Sequence, residues 1–353
     1  MATIRDVARE AGVSIATVSR VYNKTALVSE ETAQHVRAVA SRMDYWPNGA
    51  ARSLITNRTH AIGVLLPDLY GEFFSEVIRG IDLAARRERF QVLVSSSHAD
   101  NDALVSAVRS MRGRIDGLIA MAPDARSVSA VQGFTRNFPI VLIDPGREVG
   151  ECGAIAIANY DGAYEMVRHL HGLGHRSIAT VRGPVGNFDA EERLRGYRDA
   201  MRDCGADSAP VLEIQGDFTE SSGYRAAAEL LHQRPRPSAV FAANDYMAIG
   251  LIGALRDAGF RVPQDVAVTG FDDIAIAQYL TPPLTTVRVD AYELGERAVQ
   301  QLLPMTRAKK SEPQPLQLLP TKLVIRSSCG SLRPEPVDAW SRRGRGRPML
   351  SSG

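Results

Sequence analysis

The chain has 353 residues, 44% hydrophobic and 23% charged, a balance that leaves room for two or three domains and excludes a collagen-like or globally disordered chain. No stretch approaches the ~18 consecutive apolar residues of a membrane span, and the opening segment is charged at Arg5, Asp6, Arg9 and Glu10 where a signal peptide has its apolar region, so a cytoplasmic protein is expected. The formal charge of +2 hides a gradient: residues 1–58 carry 8 basic against 5 acidic side chains, residues 331–353 carry 5 against 2, and the body between is net −4, an arrangement in which the ends suit a polyanion.

The first elements are helical. Thr3 is placed to cap a helix from Ile4 to Ala11, and Asp6, three residues on, completes a capping box. Gly12 supplies the backbone freedom of a tight turn, and Ser14 caps a second helix through Val21. Ser29, Glu30 and Glu31 start a third helix that reaches about Met43. Two short helices around a three-residue turn, closed by a third, form a helix-turn-helix, with Ala8, Val13, Val18, Val21 and Val36 as a miniature core. The alternative is an ordinary helical hairpin packed on the body.

From Ile62 onward, short aliphatic runs alternate with amphipathic stretches. The runs are 62–66, 91–94, 117–120, 139–143, 178–181, 239–242 and 266–270. Helices are predicted near 72–89, 100–112, 161–173, 190–204, 221–233, 246–259 and 291–303. Strands that are apolar throughout, each followed by a helix, indicate parallel sheets covered on both faces. Seven repeats exceed one comfortable sheet, so the α/β body is predicted as two doubly wound parallel-sheet subdomains with a ligand crevice beyond the carboxyl ends of the strands. Cys152, Cys204 and Cys329 are too few and too scattered for a disulfide framework or a structural zinc. No cofactor or metal is expected, because His169 and His171 fall on different faces of one helix. No phosphate loop, dinucleotide fingerprint or nucleophile elbow is present, so an enzyme is not expected.

Residues 3–14 (TIRDVAREAGVS), 16–23 (ATVSRVYN), 45–48 (YWPN), 51–54 (ARSL) and 59–63 (THAIG) strongly resemble the LacI/GalR family of transcriptional regulators, and the likeness runs through residue 330. Residues 215–218, 222–225 and 261–266 look particularly like purine-responsive members of that family. The resemblance implies a DNA-binding head over 1–47 and a hinge helix over 48–58. It further implies a core whose N-terminal subdomain takes 59–160 and about 290–320 and whose C-terminal subdomain takes 161–289 and about 321–330. That core is periplasmic-binding-protein-like, and a basic disordered tail over 331–353 lies outside the likeness.

What the resemblance implies for the DNA is contact from Thr3, Ser14, Ile15, Ala16, Thr17, Arg20 and Asn23 in the head, and from Asn48, Ala51, Leu54 and Ile55 in the hinge. Ile15 and Ala16 have no side-chain hydrogen-bonding group, so they suit thymine methyls, whereas Thr17 and Arg20 suit polar readout or phosphate. Leu54 matches the family's minor-groove wedge. Ile55 stands where purine-responsive members carry a basic residue, a departure at one backbone contact. For the effector, the resemblance implies Asp68, Phe73, Phe74 and Asp144 on one lobe and Asn187, Asp189, Arg193, Phe218, Asn244 and Asp272 on the other. Arg193 and Asp272 either face a ligand or pair with each other. Asn187 and Asp189 replace the residues that read a purine, so the expected effector is a mono- or disaccharide without charge. The expected partners are a palindromic double-stranded operator, that sugar, and further copies of the chain in a homodimer or a dimer of dimers, with no membrane. A sugar-binding protein without a DNA-binding role is the alternative. In the tail, Arg345 to Pro348 resembles a minor-groove hook for A·T tracts.

Overall fold

The structure, a computed structural model, describes residues 2–23, 28–46, 58–98, 100–136, 138–146, 149–205, 212–307 and 315–330. The chain divides into two compact units, residues 1–61 with 113–116, and residues 62–112 with 117 onward.

In the first unit, α1 (Ile4–Glu10), α2 (Ile15–Asn23) and α3 (Glu30–Arg42) form the expected three-helix head. Thr3 Oγ1 accepts from the Asp6 amide while Asp6 Oδ2 accepts from the Thr3 amide at 3.0 Å, so both halves of the capping box are made. Gly12 takes φ +63°, a left-handed conformation that costs glycine little and closes the turn. Ser14 Oγ then accepts from the Thr17 amide at 3.0 Å and starts α2. Val7, Ala8, Ala11, Val18, Val21, Ala33, Val36, Val39 and Ala40 are buried together, and Val13 packs half-buried at their edge. Helix α2 runs two residues past the expected stop at Val21. At the far end of this unit the Asp116 carboxylate clamps the chain, accepting from the Thr59 amide at 2.6 Å, the Thr59 hydroxyl at 2.8 Å and the His60 amide at 2.9 Å.

The second unit is built on two parallel sheets. One joins β1 (Ala61–Leu66), β2 (Gln91–Ser96), β3 (Gly117–Met121), β4 (Ile140–Ile143), β5 (Gly153–Ile157) and β11 (Gln317–Leu319) in the order β11-β5-β4-β3-β1-β2. Helices α4 (Glu72–Arg87), α5 (Asn101–Met111), α6 (Ala125–Gln132) and α11 (Ala291–Arg307) accompany it. The other joins β6 (Ile178–Arg182), β7 (Glu213–Gln215), β8 (Ala239–Ala242) and β9 (Ala267–Thr269) in the order β7-β6-β8-β9, with α7 (Asn159–Gly172), α8 (Phe188–Asp203), α9 (Glu220–His232) and α10 (Asp245–Asp257). Every residue of β1, β3, β4 and β8 is buried, as runs without polar alternation require.

The two lobes are joined by three crossings of the chain, after β5, between β10 (Thr286–Arg288) and α11, and between β11 and β12 (Lys322–Val324); β10 and β12 pair antiparallel, Thr286 beside Val324. Strands β5, β7, β10, β11 and β12 and helix α6 were not anticipated from the sequence. Most are three-residue strands, too short to show a period, and β5 is built of Gly, Ala and Ile, which a buried helix turn also accepts. Helices α9 and α10 approach through Gly223 and Gly250, where a side chain would overlap the Met247 and Glu220 carbonyls. Among the described residues no helix is long and apolar enough to cross a membrane.

Candidate functional sites: the head and the interlobe cleft

The outer face of α2 has the chemistry of a base reader. Val18 and Val21 point into the head core, which leaves Ile15, 47% exposed, and Ala16 in solvent at the first turn. Thr17 is half-buried with its hydroxyl 2.9 Å from Ser14 Oγ, and Arg20 is exposed one turn on. Thr3 and Ser14 are exposed and serve as helix caps. Asn23 ends α2, and its side chain lies outside the described residues, as do Asn48, Ala51, Leu54, Ile55 and the tail with Arg345 to Pro348. An isolated apolar side chain beside a guanidinium offers thymine-methyl contact and phosphate or guanine contact from a single helix.

In the cleft between the lobes the centre is Arg193, carried on the second turn of α8 and buried. Its Nε donates to Asn159 Oδ1 at 2.8 Å, its Nη1 donates to the Ala243 carbonyl at 2.6 Å, and Nη1 also lies 3.1 Å from Asp272 Oδ1. The guanidinium rests 3.8 Å above the centre of the Phe271 ring and 5.8 Å from that of Phe218. Such clamping on several sides fixes the plane of the fork before any ligand arrives. Asn159 continues the network by donating its amide to Asp189 Oδ1 at 2.9 Å. Asp144, at the end of β4, accepts from the Ile157 amide at 2.6 Å on Oδ1, and its Oδ2 is buried with no hydrogen-bond partner among the described residues.

Three of these residues have a left-handed backbone, Asp144 at φ 48°, Phe218 at 69° and Asp272 at 108°, and all three sit in the connections that follow strands β4, β7 and β9. Non-glycine residues adopt this region at a cost that surrounding contacts must hold, and such strain gathers at binding sites. Asn244 caps α10, taking the Met247 amide on Oδ1 while its Nδ2 donates to the Phe218 carbonyl at 2.9 Å, so it fixes the loop that bears Phe218. Asn187 caps α8 through the Ala190 amide at 2.9 Å and thereby sets the first turn that carries Asp189. Phe73 and Phe74 meet edge to face at 5.6 Å, and Phe73 and Asp272, with Glu72, Arg288 and Tyr292, line a cavity of about 560 Å³ to which Arg193, Asp144 and Asp189 do not contribute. Asp68 is not joined to this network: it is exposed, and its Oδ1 accepts from the Leu69 and Tyr70 amides of its own turn.

Carboxylates outnumber cations here. Burial pushes Asp272 up to about 6 against the pull of Arg193, and pushes Asp189 up to about 6 against the same guanidinium and the Asn159 amide. Burial and the charge of Asp189 hold Asp144 well above the usual carboxylate range. Behind Asp272 the fully buried Asp245, also raised by burial and by Asp272, accepts from the Thr286 hydroxyl at 2.5 Å and the Ile274 amide at 2.9 Å, tying α10 to the loop after β9 and to β10. Sequence reasoning missed Asn159, Asp245 and Phe271. Asn159 directly follows the unrecognised β5, so nothing marked it as lying at a strand end. Asp245 stands beside Asn244 and was the available signal.

Residues 3–48 match the profile of bacterial regulatory proteins of the lacI family, and residues 167–329 match a periplasmic binding protein-like domain. The chain is 37% identical over 333 residues to the HTH-type transcriptional repressor PurR of Erwinia tasmaniensis, covering 93% of this chain and 97% of that protein. It is 36% identical over 322 residues to the ribose operon repressor of Escherichia coli, covering 91% and 98%. A crystal structure of the lac repressor dimer bound to operator and the anti-inducer ONPF superposes with a TM-score of 0.83 at 32% identity, covering 93% of this chain and 99% of that one. With a head, a two-sheet core and a full-length likeness to these repressors, the chain belongs to the lacI family of DNA-binding transcriptional regulators.

Proposed function

We propose that the protein is a homodimeric repressor whose hold on a palindromic operator is set by a neutral mono- or disaccharide bound between the lobes. The observation that carries the effector class is the surplus of acceptors around one clamped guanidinium: Asp144 Oδ2 has no partner among the described residues, Asp189 and Asp272 face the same cleft, and aromatic faces from Phe218 and Phe271 flank Arg193. Sugar hydroxyls donate to carboxylates while the C–H face of the ring stacks on an aromatic side chain. Three acids beside one arginine repel an anionic ligand in a partly dry cleft. The relative named as a ribose operon repressor agrees with a sugar, and the PurR relative stands at a similar identity, so the choice rests on the residues of the cleft. In this reading Asp144, Asp189, Arg193, Phe218 and Asp272 touch the ligand, Phe73 and Phe74 close the mouth, Asn187 and Asn244 position their neighbours, and Asp68 stays outside.

The core divides at its crossings near residues 160, 290 and 320, so a ligand that touches both lobes favours one relative arrangement through its differential affinity. On the DNA side, Ile15, Ala16, Thr17 and Arg20 read the major groove in each half-site, with Thr3, Ser14 and Asn23 at the backbone and the hinge residues Asn48, Ala51, Leu54 and Ile55 in the minor groove. The test is a thermal-shift screen of neutral sugars, sugar phosphates and nucleobases, with Arg193→Ala and Asp272→Asn as controls. Stabilisation of the parent by a neutral sugar, lost in both variants, is expected. Stabilisation by guanine or hypoxanthine, or by phosphorylated sugars alone, overturns the effector reading.

A further inference from the structure

Beyond the network around Arg193, the two lobes touch each other directly at two places along the cleft. In the first, the turn after β1 meets the start of α10: the Glu72 amide donates to the Tyr246 hydroxyl at 2.8 Å, and Glu72 Oε2 accepts from the Ala275 amide at 2.5 Å. The Tyr70 hydroxyl donates to Glu220 Oε1 at 3.3 Å beside them, and its ring leans on that of Tyr246 with centres 6.1 Å apart. Gly71 makes room for this approach, since its φ of +99° suits glycine and a methyl there would stand 2.9 Å from the Tyr246 hydroxyl oxygen. In the second, the loops after β3 and β4 meet the start of α8. The Phe188 amide donates to the Pro123 carbonyl at 2.9 Å, and the Phe188 ring lies on Gly146, where a methyl would come within 3.0 Å of it.

We propose that these two contacts form one clasp, with Tyr246 and Phe188 as its holding residues, which keeps the lobes together by protein bonds alone and must open for an effector to enter or leave. The inference rests on the reading of the cleft as the effector site and adds what controls access to it. Arg193, Asp144 and Asn159 are 4%, 3% and 3% exposed, so a ligand that touches them reaches them only when the lobes part. Each lobe is a sheet packed with its own helices, and the lobes are joined only through the three chain crossings. Close-packed bodies of this kind turn about their connections as units, so a turn that breaks one contact breaks the other.

None of the bonds in the clasp uses a side chain of the Arg193 network. Specificity and access are thereby separated: the buried network decides what is held, and the clasp decides how often the cleft is open. A hydrogen bond of ordinary net strength shifts such a two-state equilibrium by about threefold to tenfold. Loss of the Tyr246 hydroxyl should raise the open fraction by that factor, and the rates of effector entry and exit with it.

The test is amide hydrogen exchange in the full chain without ligand, followed residue by residue by NMR. Glu72 and Phe188 are the first residues of α4 and α8, so their amides have no partner within their own helices and their exchange reports the clasp. Tyr246→Phe keeps the ring and removes the hydroxyl; Phe188→Ala removes the ring from Gly146, with Phe188→Leu in its place should the alanine variant not fold. Tyr246→Phe is expected to speed exchange at Phe188, on the other contact, by about threefold to tenfold. The Phe188 variant is expected to speed exchange at Glu72 and Ala275 in the same way, while amides inside β1 and β8 stay unmoved. Tyr224→Phe, which removes a bond to Asp257 within one lobe, should change neither contact. Acceleration confined to the substituted contact, acceleration throughout the sheets, or no acceleration overturns the clasp. No sugar is needed, so a failed sugar screen leaves coupled exchange standing, and uncoupled exchange leaves the effector reading standing.

Discussion

Arg193 and Asp272 make a buried ion pair in which Nη1 is shared: it lies 3.1 Å from Asp272 Oδ1 while also donating to the Ala243 carbonyl at 2.6 Å, so Oδ1 has no well-aligned donor among the described residues. The two alternatives open from the sequence, that these residues face a ligand or pair with each other, are therefore compatible. Charge attraction holds the pair, and in the proposed reading the same carboxylate oxygen takes a ligand hydroxyl.

Removing each partner should have different consequences. Arg193→Ala strands Asp189 and Asp272 in a low-dielectric site without their cation, and a loss of about 3 to 5 kcal/mol in urea unfolding is expected for breaking a buried pair. Asp272→Asn keeps the shape and lightens the acid surplus, so stability should change little while effector-induced stabilisation disappears. Equal destabilisation by the two substitutions would show that the pair is purely structural.

The contact between α9 and α10 depends on two glycines. A methyl at Gly250 overlaps the Glu220 carbonyl, and backbone cannot yield as a flexible side chain can. Gly250→Ala should therefore cost about 1 to 3 kcal/mol or more through forced separation of the helices. Denaturant titration should show a lower midpoint with an unchanged slope.

Asp265 gives a pH dependence of known sign. Arg261 donates to it from Nε and Nη2 at 2.9 Å each and from its own amide at 2.8 Å, and these bonds hold the carboxyl down at about 2. A folded-state value below the unfolded one contributes stability that is present above the ordinary carboxylate range and is lost as pH falls through about 2. Asp265→Asn should lower the thermal midpoint at neutral pH, and the difference from the parent should shrink toward acid. A difference that persists at the acid end would contradict this assignment.

On the head, Ile15 is 47% exposed and outside the miniature core. Ile15→Ser should leave the stability of the head within about 0.5 kcal/mol of the parent. It should also change base preference at one position of each half-site by about 1 to 3 kcal/mol while leaving the salt slope of binding unchanged, because no phosphate contact is lost. Binding-site selection with salt titration measures both, and unaltered base preference would remove Ile15 from the reading face.

The head and the class of the body are legible in the amino-acid sequence. Thr3, Asp6, Gly12, Ser14 and Ser29 act through hydrogen bonds and φ values within a few residues, so local spacing suffices to place α1 to α3 within two residues of their ends. The aliphatic runs at β1, β3, β4 and β8 announce burial on both faces, which only a covered parallel sheet provides. What tertiary structure alone decided is the company each cleft residue keeps. Asn159 reaches Arg193 over 34 positions and Thr286 reaches Asp245 over 41, distances at which sequence pattern carries no signal. The same holds for charge: a count of acids gives no pairing, and only the fold brings Asp144, Asp189 and Asp272 around one arginine that also donates to Asn159 and to the Ala243 carbonyl. Asp68, which chain position groups with them, turns back on its own amides, because an exposed aspartate after a strand satisfies the nearest N–H groups first.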